Sequence, residues 1–343
     1  VELEARIATV RMAETFVISR GASDEAEVVD VELRHEGVSG FGEAAPIERY
    51  DESPASALAF LQEAGELIGD DPFAFEAIEA RLRKRPGEQA AKAAIDAALH
   101  DLCGKLVGLP VWRLLGLRRE GPPTSWTIWL GDPDDMARRA EKVRGRFKRL
   151  KLKLGAGDGL DIERVTAVRG VTEVPLQVDV NEAWSLEQAR EALPQLAELG
   201  VQYCEQPLPA GDPGGPELKR GSPLPIYVDE DCHTLEDVAF CAERAHGLTI
   251  KLAKSGGIRE AVRMAQAGRA LGLGLMLGCM NESGLAVAAG AACASLFDHV
   301  DLDGNLLLVE DPWPGVELVD GVQVPADAPG LGVRHARETV TGT

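Results

Sequence analysis

The stretch RLKLKLGAGDG, residues 149–159, sets Lys151 and Lys153 two positions apart inside a run of leucines. Period-two alternation puts both ammonium groups on one face of a strand and the intervening leucines on the other. Two like charges on one face of a buried strand repel each other and resist desolvation. An ordinary surface strand is the simplest account of them. The organisation of the remaining chain argues instead for one strand of a barrel.

Short apolar runs recur on both sides of this stretch at a spacing of roughly 25 residues. The predicted strands are TSWTIWL (124–130), RLKLKL (149–154), LQVDVN (176–181), YCEQPL (203–208), IYVDED (226–231), LTIKLAK (248–254), LGLMLGC (273–279) and HVDLDG (299–304). Amphipathic segments such as LEQAREALPQLAELG (186–200) lie between them. An eightfold alternation of strand and helix predicts a closed parallel barrel of the (β/α)8 type. A doubly wound open sheet is disfavoured by the even repeats and by the lack of GxGxxG after the first strand. The last strand leads into the irregular EDPWPGVELVDGVQVPADAPGLGV, so the reading is α/β, a (β/α)7β TIM-type barrel.

Upstream, ARIATVRM (5–12) and EVVDVELRH (27–35) alternate as antiparallel strands, with ISRGASDEAE (18–27) expected as a mobile loop between them. The turn-rich GFGEAAP (40–46) follows, and the pattern is helical from Ser53 to Leu115. Glycines and prolines in GLPVWRLLGLRREGPPTS (108–125) predict a boundary near residue 120. The expected division is an α+β capping domain, residues 1–120 completed by the tail at about 315–343, and a catalytic barrel at 121–314.

The chain has 343 residues, 45% of them hydrophobic, enough for a large core. A formal charge of −20 opposes binding to nucleic acid. No apolar run approaches the ~20 residues of a membrane helix, and the acidic, alternating N-terminus is unlike a secretory signal. Six cysteines without a CxxC pair argue against a disulfide framework or thiolate site and favour a reducing cytoplasm.

Barrel chemistry sits at the C-terminal ends of the strands. Those ends carry Lys151 and Lys153 on strand two, Asp179 on three, Glu205 on four, Asp229 on five, Lys251 on six, and Asp301 and Asp303 on eight. A single acid there often only caps the next helix. Three carboxylates converging at one rim cannot all ionise without a cation, and hard oxygen ligands favour Mg²⁺. Strand six lies opposite strand two in an eight-strand ring, so Lys251 faces the lysine pair across the mouth. Mutual repulsion and a nearby metal are expected to lower at least one lysine pKa toward neutrality. Two bases on opposite sides of one carbon suit removal of a proton from one face and its return to the other, with the metal neutralising an enediolate. The alternative is a salt-bridge network of the same groups without catalysis.

The motifs GFGEAAP and AKAAIDAALHDLCGKLVGLPVWRLLG, followed by KLKLG, VDVNEAW, CEQPL, VDED, IKLAKSGGI, GCMNES and DLDG, resemble the muconate lactonizing subgroup of the enolase superfamily over nearly the whole chain. They are most similar to its dipeptide epimerases. The resemblance implies Lys153 and Lys251 as the acid/base pair, with Lys151 binding the substrate carboxylate and tuning Lys153. It implies Lys254 as a supporting residue, and Asp179, Glu205 and Asp229 as ligands of one Mg²⁺ per subunit. Asp301 and Asp303 would take the free ammonium of a dipeptide. Thr127 matches a substrate-contacting threonine, Cys279 would line the same mouth, and Glu282 falls there with a less defined role.

In family members acting on L-Ala-D/L-Glu, an arginine of the first loop meets the Glu side chain. Here Arg20 is offset by one position, with Gly21 in its place, and Asp24, Glu25 and Glu27 follow, which could favour a cationic side chain. The expectation is a Mg²⁺-dependent dipeptide epimerase, a homo-oligomer with a small-molecule dipeptide as substrate. The rivals are N-acylamino acid racemisation, succinylbenzoate synthesis or cycloisomerisation on the same scaffold, and a non-catalytic ligand-binding barrel.

Overall fold

A computed structural model describes residues 1–336. The chain opens with strands β1 (Glu2–Ile18), β2 (Gly21–His35) and β3 (Val38–Ala44), which form an antiparallel sheet in that order. Three helices follow: α1 (Pro54–Ile68), α2 (Phe75–Arg83) and α3 (Gln89–Val107). Ser53 starts α1, its hydroxyl accepting from the Ser56 backbone N–H at 3.1 Å, with Pro54 at the first helical position. Inward residues of β2, Val29, Val31 and Leu33, pack against Leu61, Ile68, Ile95 and Leu102. The close approach of β3 to α3 depends on small residues on both sides. A Cβ on Gly42 would strike the backbone carbonyl of Ala94, and one on Gly40 the carbonyl of Ala98.

The expected loop at residues 18–27 is not a loop. β1 and β2 run on as one long hairpin, paired from Glu2↔Arg34 to Ile18↔Gly21, so only Ser19 and Arg20 form the turn. Phe16, Val17 and Ile18 continue the strand beyond a bulge at residues 12–15, and that extends the ribbon past the sheet. The ribbon is fastened to the barrel where the Leu130 N–H donates to Val17 O at 2.9 Å and where Met12 bridges Leu308.

The barrel consists of β4 (Trp126–Ile128), β5 (Leu150–Lys153), β6 (Leu176–Asp179), β7 (Val201–Glu205), β8 (Ile226–Val228), β9 (Gly247–Lys251), β10 (Gly274–Gly278) and β11 (His299–Asp301). These eight strands are parallel neighbours in chain order. The ring closes where Thr124 bridges Val300 and the Ser125 N–H donates to Val300 O at 2.9 Å. Every predicted barrel strand is present. Seven are followed by a helix, and β11 by a 3-10 turn at Gly304–Leu307, giving the (β/α)7β architecture. Leu150, Leu152 and Leu154 turn outward into the layer between sheet and helices, which obliges Lys151 and Lys153 to face the barrel interior.

Beyond the barrel, β12 (Glu317–Val319) and β13 (Val322–Val324) form a small hairpin. The chain then returns to α3, with the Leu331 N–H donating to Asp101 Oδ1 at 2.7 Å and the Val111 N–H to Gly330 O at 2.9 Å. The part of the tail expected at 337–343 lies outside the described residues. Among the described residues no helix is long and apolar enough to cross a membrane.

The glycine contacts generate a paired prediction. Gly42→Ala forces β3 off α3 and is expected to destabilise the protein by about 2–3 kcal/mol. Gly65→Ala, inside α1 with nothing within 4 Å of the added carbon, should stabilise it by up to about 1 kcal/mol. Urea denaturation of both variants checks the signs.

Candidate active site

Strand register brings the charged residues together. Lys153 pairs with Asp179, Asp179 with Glu205, and Gly278 with both Lys251 and Asp301 across neighbouring strands. Because these are barrel strand ends, their side chains meet at one mouth. Gly278 leaves room there for the lysine: a Cβ would come within 3.1 Å of the Lys251 side chain and crowd it. The lysine-bearing strands β5 and β9 are separated by β6, β7 and β8 on one side and by β10, β11 and β4 on the other. Lys153 and Lys251 therefore reach one cavity, of about 360 Å³, from opposite walls.

Ammonium groups taken out of water cost several kcal/mol unless they are paired, and each of these is. Lys151 Nζ lies 2.6 Å from Glu205, 2.8 Å from Asp301 and 3.6 Å from Asp179. Lys153 donates to Asp179 at 2.6 Å and Lys251 to Asp229 at 2.8 Å. Lys254 sits behind the wall, bonded to Asp229 Oδ1 at 2.5 Å and to the Asp229 and Thr249 carbonyls.

With no cation present, these acids outweigh the repulsion between Lys151 and Lys251. Burial pulls the Lys151 pKa down, but Asp301, Glu205 and Asp179 outweigh it and hold the group well above the usual lysine range. Lys251 is likewise raised: burial opposes the charge, but Asp229 and Glu205 prevail over repulsion from Lys151. The lysines repel one another less than the nearer acids attract them.

Among the described residues no three Asp, Glu, His or Cys side chains already converge as a ligand set. The amines lie among the acids instead. The donor chemistry nonetheless fits a hard cation. Asp179, Glu205 and Asp229 are at most 1% exposed and supply only oxygen. Neither Glu205 oxygen receives a well-angled hydrogen bond, and Asn181 Oδ1 and Asp301 Oδ1 also lack a donor. Such buried acceptors are costly unless something positive meets them. Burial and Asp179 push Glu205 up to about 7, whereas Asp179 is held at about 2, burial being outweighed by Lys153 and Lys151. Asp229 is also held low, its burial outweighed by Lys251 and Lys254.

On the opposite wall, Asp301 and Asp303 are buried and line the cavity with Thr127 and Cys279. Asp303 accepts from the Thr127 backbone N–H at 2.6 Å and is raised to about 7 by burial and by Asp301. The Cys279 thiol is pushed well above its ordinary value by burial and by Glu282. Glu282 is buried, accepts from the Met280 N–H at 3.3 Å, and is not on the cavity wall.

Sequence reasoning missed the cap's grip on this rim. Arg20 Nη1 donates to Glu230 at 2.8 Å, Asn181 O at 3.0 Å and Glu182 at 3.2 Å. Arg49 makes a two-pronged pair with Glu182 at 2.7 Å. Asp24 is occupied by the Thr15 hydroxyl at 2.6 Å, while Glu27 reaches the cavity. The VNE and DED motifs hinted at Glu182 and Glu230, but nothing local named their partners.

The buried acids predict how stability varies with pH in metal-free protein. Between the ordinary carboxylate range near ~4.3 and its folded value of about 7, Glu205 holds a proton in the folded chain that the unfolded chain has lost. Stability therefore falls as pH rises through that window. Asp179 and Asp229 act oppositely: their contribution is present above about pH 4 and lost only on acidification. With a chelator present, the melting temperature should fall between about pH 5 and pH 8, and Glu205→Gln should flatten the slope. Thermal denaturation at several pH values checks it.

Residues 2–116 match the mandelate racemase / muconate lactonizing enzyme N-terminal domain, and residues 135–339 match the enolase C-terminal domain-like profile. The chain is 37% identical over 328 residues to an L-Ala-D/L-Glu epimerase of Bacteroides thetaiotaomicron, covering 94% of this chain and 85% of that one. It is 36% identical over 333 residues to a hydrophobic dipeptide epimerase of a Flavobacteria bacterium, covering 94% and 95%. The crystal structure of a dipeptide epimerase from Enterococcus faecalis V583, complexed with Mg and the dipeptide L-Leu-L-Tyr, superposes with a TM-score of 0.93 at 32% identity, covering 97% of this chain and 99% of that one. With both domains of the family matched and its barrel and cap in place, the chain belongs to the mandelate racemase / muconate lactonizing enzyme family of the enolase superfamily.

Proposed function

We propose that this protein is a Mg²⁺-dependent dipeptide epimerase that inverts the α-carbon of the C-terminal residue. The observation that carries the reading is the placement of Lys153 and Lys251 on opposite walls of one cavity. The names of the relatives, which are epimerases of dipeptides, support it. Asp179, Glu205 and Asp229 are the residues that would hold the ion. When bound, Mg²⁺ would supply the charge that neutralises these acids and the substrate carboxylate, freeing the amines from their pairing with Asp179 and Asp229.

The roles of the protein's own groups follow from their positions. One amine, Lys153 or Lys251 according to the substrate's configuration, takes the α-proton from its side of the carbon. The carbon flattens, and the other amine returns a proton to the opposite face. Lys151, wedged between Glu205 and Asp301, presents a fixed positive charge to the substrate carboxylate. Asp301 and Asp303 take the substrate's N-terminal ammonium, since Asp301 Oδ1 has no donor and two adjacent acids favour a cationic partner. Thr127, through its backbone N–H, holds Asp303 in place.

Two measurements test this reading. Incubated in D₂O with Mg²⁺ and a dipeptide library, the enzyme should wash deuterium into the α-carbon of the C-terminal residue. Lys153→Ala and Lys251→Ala should each slow epimerisation by about 10²–10⁴-fold, while one of them retains exchange from a single stereoisomer. Normal epimerisation by both variants would dismiss the two-base assignment. N-acetylating the dipeptide should remove most activity; an N-acylated substrate that turns over better than the free one would point to a racemase of N-acylamino acids. Asp229→Asn should weaken Mg²⁺ binding and activity together, and an unchanged Mg²⁺ dependence would exclude it as a ligand.

A further inference from the structure

The relatives differ in the side chain they are named for, so similarity alone does not assign the substrate's residues. The roof of the cavity does, on the epimerase reading above. When the α-carbon flattens, its carboxylate, its amide nitrogen and its side chain share a plane with an amine on either face. The carboxylate points toward the Asp179, Glu205 and Asp229 strands, and the amide toward Asp301 and Asp303. The side chain is left to point out of the barrel, toward the hairpin tip and the Ala45–Tyr50 segment that close the cavity.

That roof is apolar apart from a few charges. Phe16, Ile18, Ala22, Ala26, Ile47 and Met280 supply hydrocarbon. Its two guanidiniums already face two carboxylates: Arg20 meets Glu230 and Glu182, and Arg49 meets Glu182. Glu27, exposed on β2 and lining the cavity, makes no side-chain ion pair or hydrogen bond among the described residues. Of these groups Arg20, Arg49 and Glu27 line the side-chain site, and both guanidiniums are already paired with acids set behind the wall. A substrate carboxylate there would face Glu27 and compete with Glu182 and Glu230 for guanidiniums already paired, and a substrate ammonium would face both guanidiniums with only the exposed Glu27 to meet it. An apolar side chain would lose only unfavourable hydration.

We infer that the side chain on the inverted carbon is apolar, that Arg20 is a positioning residue tying the hairpin tip to the ends of β6 and β8, and that Glu27 discriminates against acidic dipeptides. Deuterium exchange in D₂O with Mg²⁺ gives kcat/KM for L-Ala-L-Leu, L-Ala-L-Phe, L-Ala-L-Lys and L-Ala-L-Glu. Leu and Phe should exceed Glu by about 10-fold or more, the scale on which an unpaired buried polar group is rejected. A smaller margin, or a preference for Glu or Lys, overturns the inference. Glu27→Lys should narrow the Leu-to-Glu ratio by about 10-fold, and a ratio that stays put overturns it. Arg20→Ala should lower kcat/KM by one common factor for Leu and Glu, whereas a loss confined to Glu would make Arg20 a substrate ligand. Absence of exchange with all four dipeptides, and with the wider library, would refute the epimerase reading instead.

Discussion

The structure depends on the mutual neutralisation of lysines and carboxylates inside the barrel mouth. Lys151 has a side chain 1% exposed, and Asp179 and Glu205 are wholly buried beside it. None of these charges is tolerable alone in an apolar interior, and each is tolerable only at the short distances its neighbours provide. That demand is met because eight parallel strands converge, so that residues from positions 151 to 303 share a few ångströms of space. Replacing any one charge leaves another uncompensated, which ties the fold's stability to the groups proposed to do its chemistry.

The cap contributes a second constraint. Asn181 and Glu182, directly after the Asp179 strand, have φ of 48° and 71°, the left-handed region that non-glycine residues seldom occupy. Such strain persists only when surroundings over-determine it. Here Ser19 and Arg20 hold the Asn181 carbonyl, and Arg49 and the Ala210 N–H hold the Glu182 carboxylate. A hairpin from the first strands thus shapes the segment leaving a proposed metal ligand. The same contacts engage the guanidiniums of the roof, so the clamp and the proposed side-chain preference have one origin.

Much was legible from local pattern. The eight barrel strands, the inward face shared by Lys151 and Lys153, and the strand-end acids all follow from period-two alternation and regular spacing, which are properties of neighbouring residues. The long hairpin was misread because SRGASDE resembles a loop in composition, yet Phe16, Val17 and Ile18 pair with Ser23, Ala22 and Gly21. The acids that hold Lys151 and Lys251 high in the metal-free chain were hidden for a related reason. Lys151 and Lys153, two apart in sequence, are visible together, whereas Asp301, 150 residues from Lys151, is not.

The amino-acid sequence by itself determined the alternation of strand and helix, the parity that turns each lysine and acid inward, and the family to which the chain belongs. These rest on local stereochemistry and on motifs read in order. Only the tertiary structure decided which acid meets which amine, that Gly278 makes room for Lys251, and that Arg20 and Arg49 are already occupied. Those outcomes depend on register and ring closure between segments far apart in the chain, where a shift of one residue would turn every charge to the other face.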